Sequence, residues 1–201
     1  MNNIEFRKAK EDIVVFHNKN QIPYIKSPHL HSSYEIYYNI SGARGFMVGG
    51  KVYKCNGNDL ILIPMAEAHK AVVNKNVPYE RCIINIPVYV ADSVEKLCEK
   101  DTLLWLKGGT KKANLSENEH KKLLELTESY NKEDDLMKFS KFVEIMSFLK
   151  EIFSEKGSEE LLEDGDISYV DKALLEIEKD FKNVGASGVA EALFINEDYI
   201  N

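Results

Sequence analysis

HLHSSYEIYYNISG, residues 29–42, is the stretch on which the fold turns. On an extended strand, alternate side chains leave opposite faces. His29, His31, Glu35 and Tyr37 would then share one face, and Tyr34, Ile36 and Tyr38 the other. Either face can be the packed one, since both are rather apolar. The polar face raises the functional question. It could be a metal site, the wall of a ligand pocket, or a polar edge in which His31 and Glu35 satisfy each other.

The neighbouring stretches have the same character. DIVVFH, SYEIYYNI, ARGFMVGG with KVYKCN, DLILIP, HKAVVN and YERCIINIPV are short, rich in β-branched or aromatic residues, and bounded by Gly, Asn or Pro. Gly49-Gly50 permits the positive φ angles of a tight primed turn, so MVGGKVYK reads as a hairpin. No helical pattern separates these strands, which points to an antiparallel sandwich or barrel rather than a parallel sheet.

From about residue 92 the apolar period changes to that of helices. Ser116 and Glu119 form a capping-box pattern ahead of Leu123, Leu124 and Leu126. Leu136, Phe139, Val143, Met146, Ile152 and Phe153 then run along one helical stripe, widened by Phe142, Ile145 and Leu149. Gly157 ends that helix, and GSEELLEDGD reads as a linker. SYVDKALLEIEKDF and SGVAEALF suggest two more helices. INEDYIN looks like a turn and the first residues of another, the opening half of a helix-turn-helix.

The 201 residues suffice for one large domain or one domain plus a smaller one. No uninterrupted apolar run is long enough to cross a bilayer. Charges interrupt the N-terminus where a signal peptide would be apolar, so the expected location is cytoplasmic. Cys55, Cys82 and Cys98 are spaced for neither a CxxC site nor a disulfide framework and are read as reduced thiols. Charge is uneven: residues 1–101 carry 13 basic and 11 acidic side chains, residues 102–201 carry 13 and 22. An acidic C-terminal half gives no bulk attraction for a phosphate backbone.

Two motifs occur together. His29-x-His31-x3-Glu35-x6-Gly42 resembles the first motif of the cupin superfamily. The segment from Gly57 through Pro64 to His69 is similar to the second, with Ala66 where a glycine is usual and one extra residue after Gly57. The string from His29 to Val73 resembles the N-terminal sensor domain of AraC-family transcription regulators more closely than cupin enzymes. ISYVDKALLEIEKDF and GVAEALFINEDYI resemble the opening of that family's DNA-binding domain. The resemblance implies a cupin-type antiparallel β-barrel (jelly roll) over 1–92 and a helical dimerisation region over 93–156. A linker over 157–166 and an incomplete DNA-binding domain over 167–201 would follow. It further implies a small-molecule effector, a homodimer, and DNA binding only in a full-length protein, because 196–201 only begin a recognition helix.

The expected ligand-binding residues are His29, His31, Glu35, Tyr37, Phe46 and His69. Imidazoles with a carboxylate suit Zn, Ni, Fe or Mn, so His29, His31, Glu35 and His69 are also the metal candidates. The same groups can line an organic pocket through hydrogen bonds. Arg81 could meet an anionic ligand group; pairing with Glu80 or Glu67 at the surface is the expected state. His17 and His120 read as surface residues, and Gly108-Gly109 as a turn. The rival reading is a metal-dependent cupin enzyme, an oxygenase or isomerase. A single-barrel enzyme does not need the helical second half, and no Ser or Cys sits in a nucleophile context. The apolar surface of helix 135–155 is broader than one packing contact needs, which marks it as the dimer contact.

Overall fold

The computed structural model describes residues 5–6, 13–19, 28–73, 77–98 and 101–158. The expected linker beyond Ser158 and the start of a DNA-binding domain over 167–201 lie outside the described residues.

Among the described residues, ten strands form two five-stranded sheets. The first takes β1 (Glu5–Phe6), β3 (His29–Leu30), β8 (His69–Val73), β5 (Ala43–Val48) and β6 (Lys51–Lys54), in that spatial order. The second takes β10 (Lys111–Asn114), β7 (Asp59–Ile63), β4 (Ser33–Ser41), β9 (Glu80–Pro87) and β2 (Val14–Lys19). Pairing is antiparallel apart from the short β1–β3 contact. This is the antiparallel sandwich that the strand pattern predicts, cupin-like as the resemblance implies.

Turn chemistry sets the register. Gly49 and Gly50 have φ of 55° and 76°, the primed turn expected between β5 and β6. Gly42 has φ 89°, and a Cβ there would lie 2.7 Å from both Pro78 O and Tyr79 Cα. Only glycine fits, which is why Gly42 closes β4.

The second sheet is buried on both faces. Tyr37, Ile61 and Ile63 point to the first sheet and pack with Ala43, Phe46, Val48, Tyr53, Cys55 and Tyr79. Tyr34, Ile36, Tyr38, Leu60, Leu62, Cys82, Ile84 and Ile86 point outward into a larger apolar cluster with the helices. The apolarity of both faces of the HLHSSYEIYYNISG stretch follows directly from this: β4 is a central strand between two cores.

Those helices are α1 (Val88–Leu97), the short α2 (Leu104–Lys107), α3 (Glu117–Lys132) and α4 (Asp135–Lys156). The capping box forms, with Ser116 N donating to Glu119 Oε2 at 2.7 Å. Gly157 caps α4, its N–H donating to Phe153 O at 3.2 Å. Gly108 and Gly109 make the turn between α2 and β10. The region expected to be helical over 93–156 also contains a strand: β10 pairs with β7 along the edge of the second sheet. The KKAN sequence hides it, because Lys112 carries no apolar signal. It is buried there, its ammonium 3.3 Å from Asp59 Oδ2.

The face of α4 also needs correction. Phe142, Met146, Leu149 and Phe153, expected as part of a dimer strip, are buried in the chain's own core. Leu136, Met137, Phe139 and Val143 are the apolar side chains that α4 leaves exposed. No helix among the described residues is long and apolar enough to cross a membrane.

Candidate functional site

β3 and β8 pair with His29 directly opposite His69, which brings two imidazoles together with ring centroids 4.3 Å apart and planes tilted by 55°. His31 follows β3, and its carbonyl accepts from Ala66 N at 2.8 Å, tying the turn before β8 to the histidine motif. Ala66 sits at φ 61°, the left-handed conformation that explains why glycine is usual there. Glu35 on β4 crosses the gap between the sheets. Its Oε2 lies 2.9 Å from His31 Nε2 and 3.7 Å from His69 Nε2. One ligand atom from each of His29, His31, Glu35 and His69 falls within 4.8 Å of the others. The four expected metal candidates do converge.

Their hydrogen bonds constrain the protons. His69 Nδ1 donates to the Glu67 carbonyl at 2.9 Å. In a neutral His69 the Nε2 lone pair then faces the Glu35 carboxylate. Two electron-rich atoms so placed need a cation between them, either a proton on His69 or a metal ion. Burial alone would raise the Glu35 pKa. The positive field of His69 and hydrogen bonds from His31 and His69 more than offset this and hold the carboxyl well below its ordinary range. Glu35 is therefore a buried anion held by the two imidazoles beside it.

Tyr37 and Phe46, the other two expected ligand residues, continue the same interior. Their rings lie 4.2 Å apart, and Phe46 stacks on His69 with centroids 6.1 Å apart. Tyr37 Oη is 2.9 Å from Tyr79 Oη, an interior hydroxyl pair that sequence reading missed. Burial pushes the Tyr37 pKa far up, so the hydroxyl stays protonated.

Arg81 departs from expectation. It is buried rather than solvated, and its guanidinium lies over the Tyr79 ring, 4.8 Å from the centroid. Glu80, one of its two expected partners, instead meets His17 at 2.9 Å and Lys19 at 3.6 Å. The other, Glu67, sits against the β5–β6 turn at Gly49. His17 is exposed as expected. His120 is half-buried and hydrogen-bonded to Tyr38 Oη on the outer face of β4. All three cysteines are free thiols.

The sequence profile of AraC-like ligand-binding domains matches residues 12–103. Residues 12–103 are an AraC-like ligand-binding domain. That span runs from just before β2, through every strand that bears an expected site residue, to just beyond α1. The match is to a ligand-binding domain of regulators, and it does not favour the enzyme alternative. Solved structures of AraC-family proteins are similar to the chain at low identity. Apo ToxT K231A from Vibrio cholerae is 14% identical with a TM-score of 0.53, the match covering 96% of this chain and 74% of that one. ToxT with a bound unsaturated fatty acid is 14% identical with a TM-score of 0.48 over 94% and 70% of the two chains. The AraC-like transcriptional activator CuxR is 10% identical with a TM-score of 0.42 over 83% and 58%. No curated protein sequence matches the chain significantly.

Proposed function

We propose that the AraC-like domain receives a small-molecule effector between its two sheets, and that His29, His31, Glu35 and His69 are the polar end of that site. The observation that supports this most directly is Glu35, a buried carboxylate held between imidazoles at 2.9 and 3.7 Å with aromatic rings beside it. Buried charge of this kind costs stability unless something uses it. The chain is read as a cytoplasmic regulator part without catalytic activity. It dimerises through the exposed side of α4, and DNA binding belongs to the full-length protein.

A second reading of the same residues is a divalent metal, Zn, Ni, Fe or Mn, onto which the effector docks. Ligand atoms around an ion with bonds of about 2.1 Å lie roughly 3–4.2 Å apart. The observed maximum of 4.8 Å needs a contraction of about 0.6 Å if that pair is trans in an octahedral set and about 1.4 Å in a tetrahedral one. The lone pair of a neutral His69 facing Glu35 also favours an intervening cation.

Elemental analysis of the untagged chain, with native mass spectrometry, separates the two readings. The metal reading expects one ion per chain, lost in His31→Ala. The organic reading expects a metal-free chain whose co-purifying small molecule is lost in the same variant. A folded His31→Ala that keeps either ligand at full occupancy refutes this assignment of the site.

A further inference from the structure

The inward face of β9 carries a charge that the histidine site does not use. Ile83 lies opposite Tyr37 and packs against the interior cluster, so Arg81 and Asn85, two residues to either side, share that inward face. Arg81 is 9% exposed, and its Nη1 is buried without a hydrogen-bond partner. Asn85 Oδ1 on the same face is likewise buried and unpartnered. Ile83 and Asn85 between and beside them are only half-buried, so this face is not closed by packing.

A guanidinium out of water normally has a carboxylate or several acceptors around it. Here it has the face of the Tyr79 ring and a side-chain hydrogen bond to Tyr79, while Glu80, the acid adjacent in sequence, is engaged by His17 and Lys19. Tyr79 and Tyr37 share one hydrogen bond between their hydroxyls. Two hydroxyls supply two protons, so one O–H remains to donate. Arginine plus a phenol O–H is a donor set for an oxyanion, and the planar guanidinium fork fits a carboxylate with two bonds.

We propose that Arg81, with the Tyr37–Tyr79 hydroxyl pair, anchors a carboxylate group of the effector at the end of the interior away from the Glu35 site. This rests on the barrel being the effector site and adds the effector's chemical class. Arg81 and Asn85 are four residues apart on one strand, about 13 Å. The effector is therefore an organic acid with an uncharged body running along Ile83 toward Asn85 and Glu35. An acid group at the other end would meet the Glu35 carboxylate and be rejected.

The test uses matched pairs: decanoate with decanamide, 4-phenylbutyrate with its amide, and glucuronate with glucose. Binding is measured by calorimetry and by thermal shift on the parent, Arg81→Gln, Arg81→Lys and, as a plug of the interior, Ile83→Trp, each checked for folding by circular dichroism. At least one acid should bind tenfold or more tightly than its uncharged twin. That preference should vanish in Arg81→Gln, persist in part in Arg81→Lys, and disappear with all binding in Ile83→Trp. In the absence of any ligand, Arg81→Met should melt no lower than the parent, since it removes a buried charge whose Nη1 has no hydrogen-bond partner and keeps the aliphatic stem. An acid no better than its twin, or no acid bound at all, overturns the proposal. So does a preference that survives Arg81→Gln, or an Arg81→Met that melts distinctly lower. Twins that bind equally and are both excluded by Ile83→Trp leave the barrel site standing while removing the carboxylate anchor. Acid binding untouched by Ile83→Trp removes the barrel site itself.

Discussion

Replacing Val143 and Met146 separately with Glu distinguishes the interface of α4 from its core. Both are apolar, three residues apart, and alike in sequence context. Met146 is 5% exposed and belongs to the cluster under the second sheet; Val143, about 60° around the helix, is 44% exposed at the edge of that buried face. Met146→Glu forfeits about 2 kcal/mol of side-chain burial and forces a carboxylate into an apolar site at a further cost of several kcal/mol. The sum is on the order of a whole domain's stability of roughly 5–15 kcal/mol, so this variant should not fold. Val143→Glu changes monomer stability by no more than about 0.5 kcal/mol. Its effect is on association. Leu136, Met137, Phe139 and Val143 expose 79%, 42%, 44% and 44% of their surface. If complete burial of such a side chain is worth about 2 kcal/mol, burying the exposed half gives roughly 1 kcal/mol each. Two protomers then contribute about 8 kcal/mol before an association cost of roughly 4–15 kcal/mol. The strip by itself supports only a weak dimer, and a carboxylate at its centre should raise Kd at least about tenfold. Thermal melts by circular dichroism read folding, and sedimentation equilibrium reads association. A Val143→Glu chain that fails to melt cooperatively refutes the assigned helix rotation. A folded Val143→Glu chain with unchanged Kd, or a parent that stays monomeric at high micromolar concentration, refutes the interface.

Gly42→Ala should lose more than about 2 kcal/mol in urea unfolding, because the new methyl meets backbone at 2.7 Å and φ is 89°. Ala66→Gly should gain about 0.5–1 kcal/mol, the relief of a left-handed alanine less the added freedom of the unfolded chain; a loss in the same assay refutes the strain argument. Burial works against the charge of Glu119, but the Lys156 ammonium and Ser116 hold its pKa down to about 2 from 4.5. That lowered value adds stability above about pH 4.5, which is lost as pH falls toward 2. Glu119→Gln should therefore cost about 1 kcal/mol near neutrality, and the gap between the two melting curves should close on acidification.

The histidine motif was legible because its even spacing places His31 and Glu35 on one face of one strand, whatever the rest of the chain does. That His69 joins them depends on the β3–β8 register, a non-local pairing that only the resemblance to a known family could supply. Arg81 was misread for a related reason. Its neighbours Glu80 and Glu67 suggest a surface ion pair, and its inward direction follows only from Ile83 sitting opposite Tyr37. α1 was obscured because VYVA reads as more strand, and β10 because a buried lysine looks like a solvated one. The rotation of α4 could not be read, because its apolar residues extend around more of the helix than either neighbour covers.

The doubly buried second sheet makes β4 a partition rather than an outer wall. Glu35 and Tyr37 stand on the side facing the first sheet, while Tyr34, Ile36 and Tyr38 stand among the side chains of the helices. Interiors at crystal-like density cannot absorb a shift on one side in empty space. A strand displaced by an arriving molecule must therefore push on the helices that carry the Leu136–Val143 strip. Substitutions at Tyr37 and Ile36 should accordingly fail to add, although their side chains never meet. On the proposed function, occupancy between the sheets and the posture of the helices would be, through this strand, one mechanical variable.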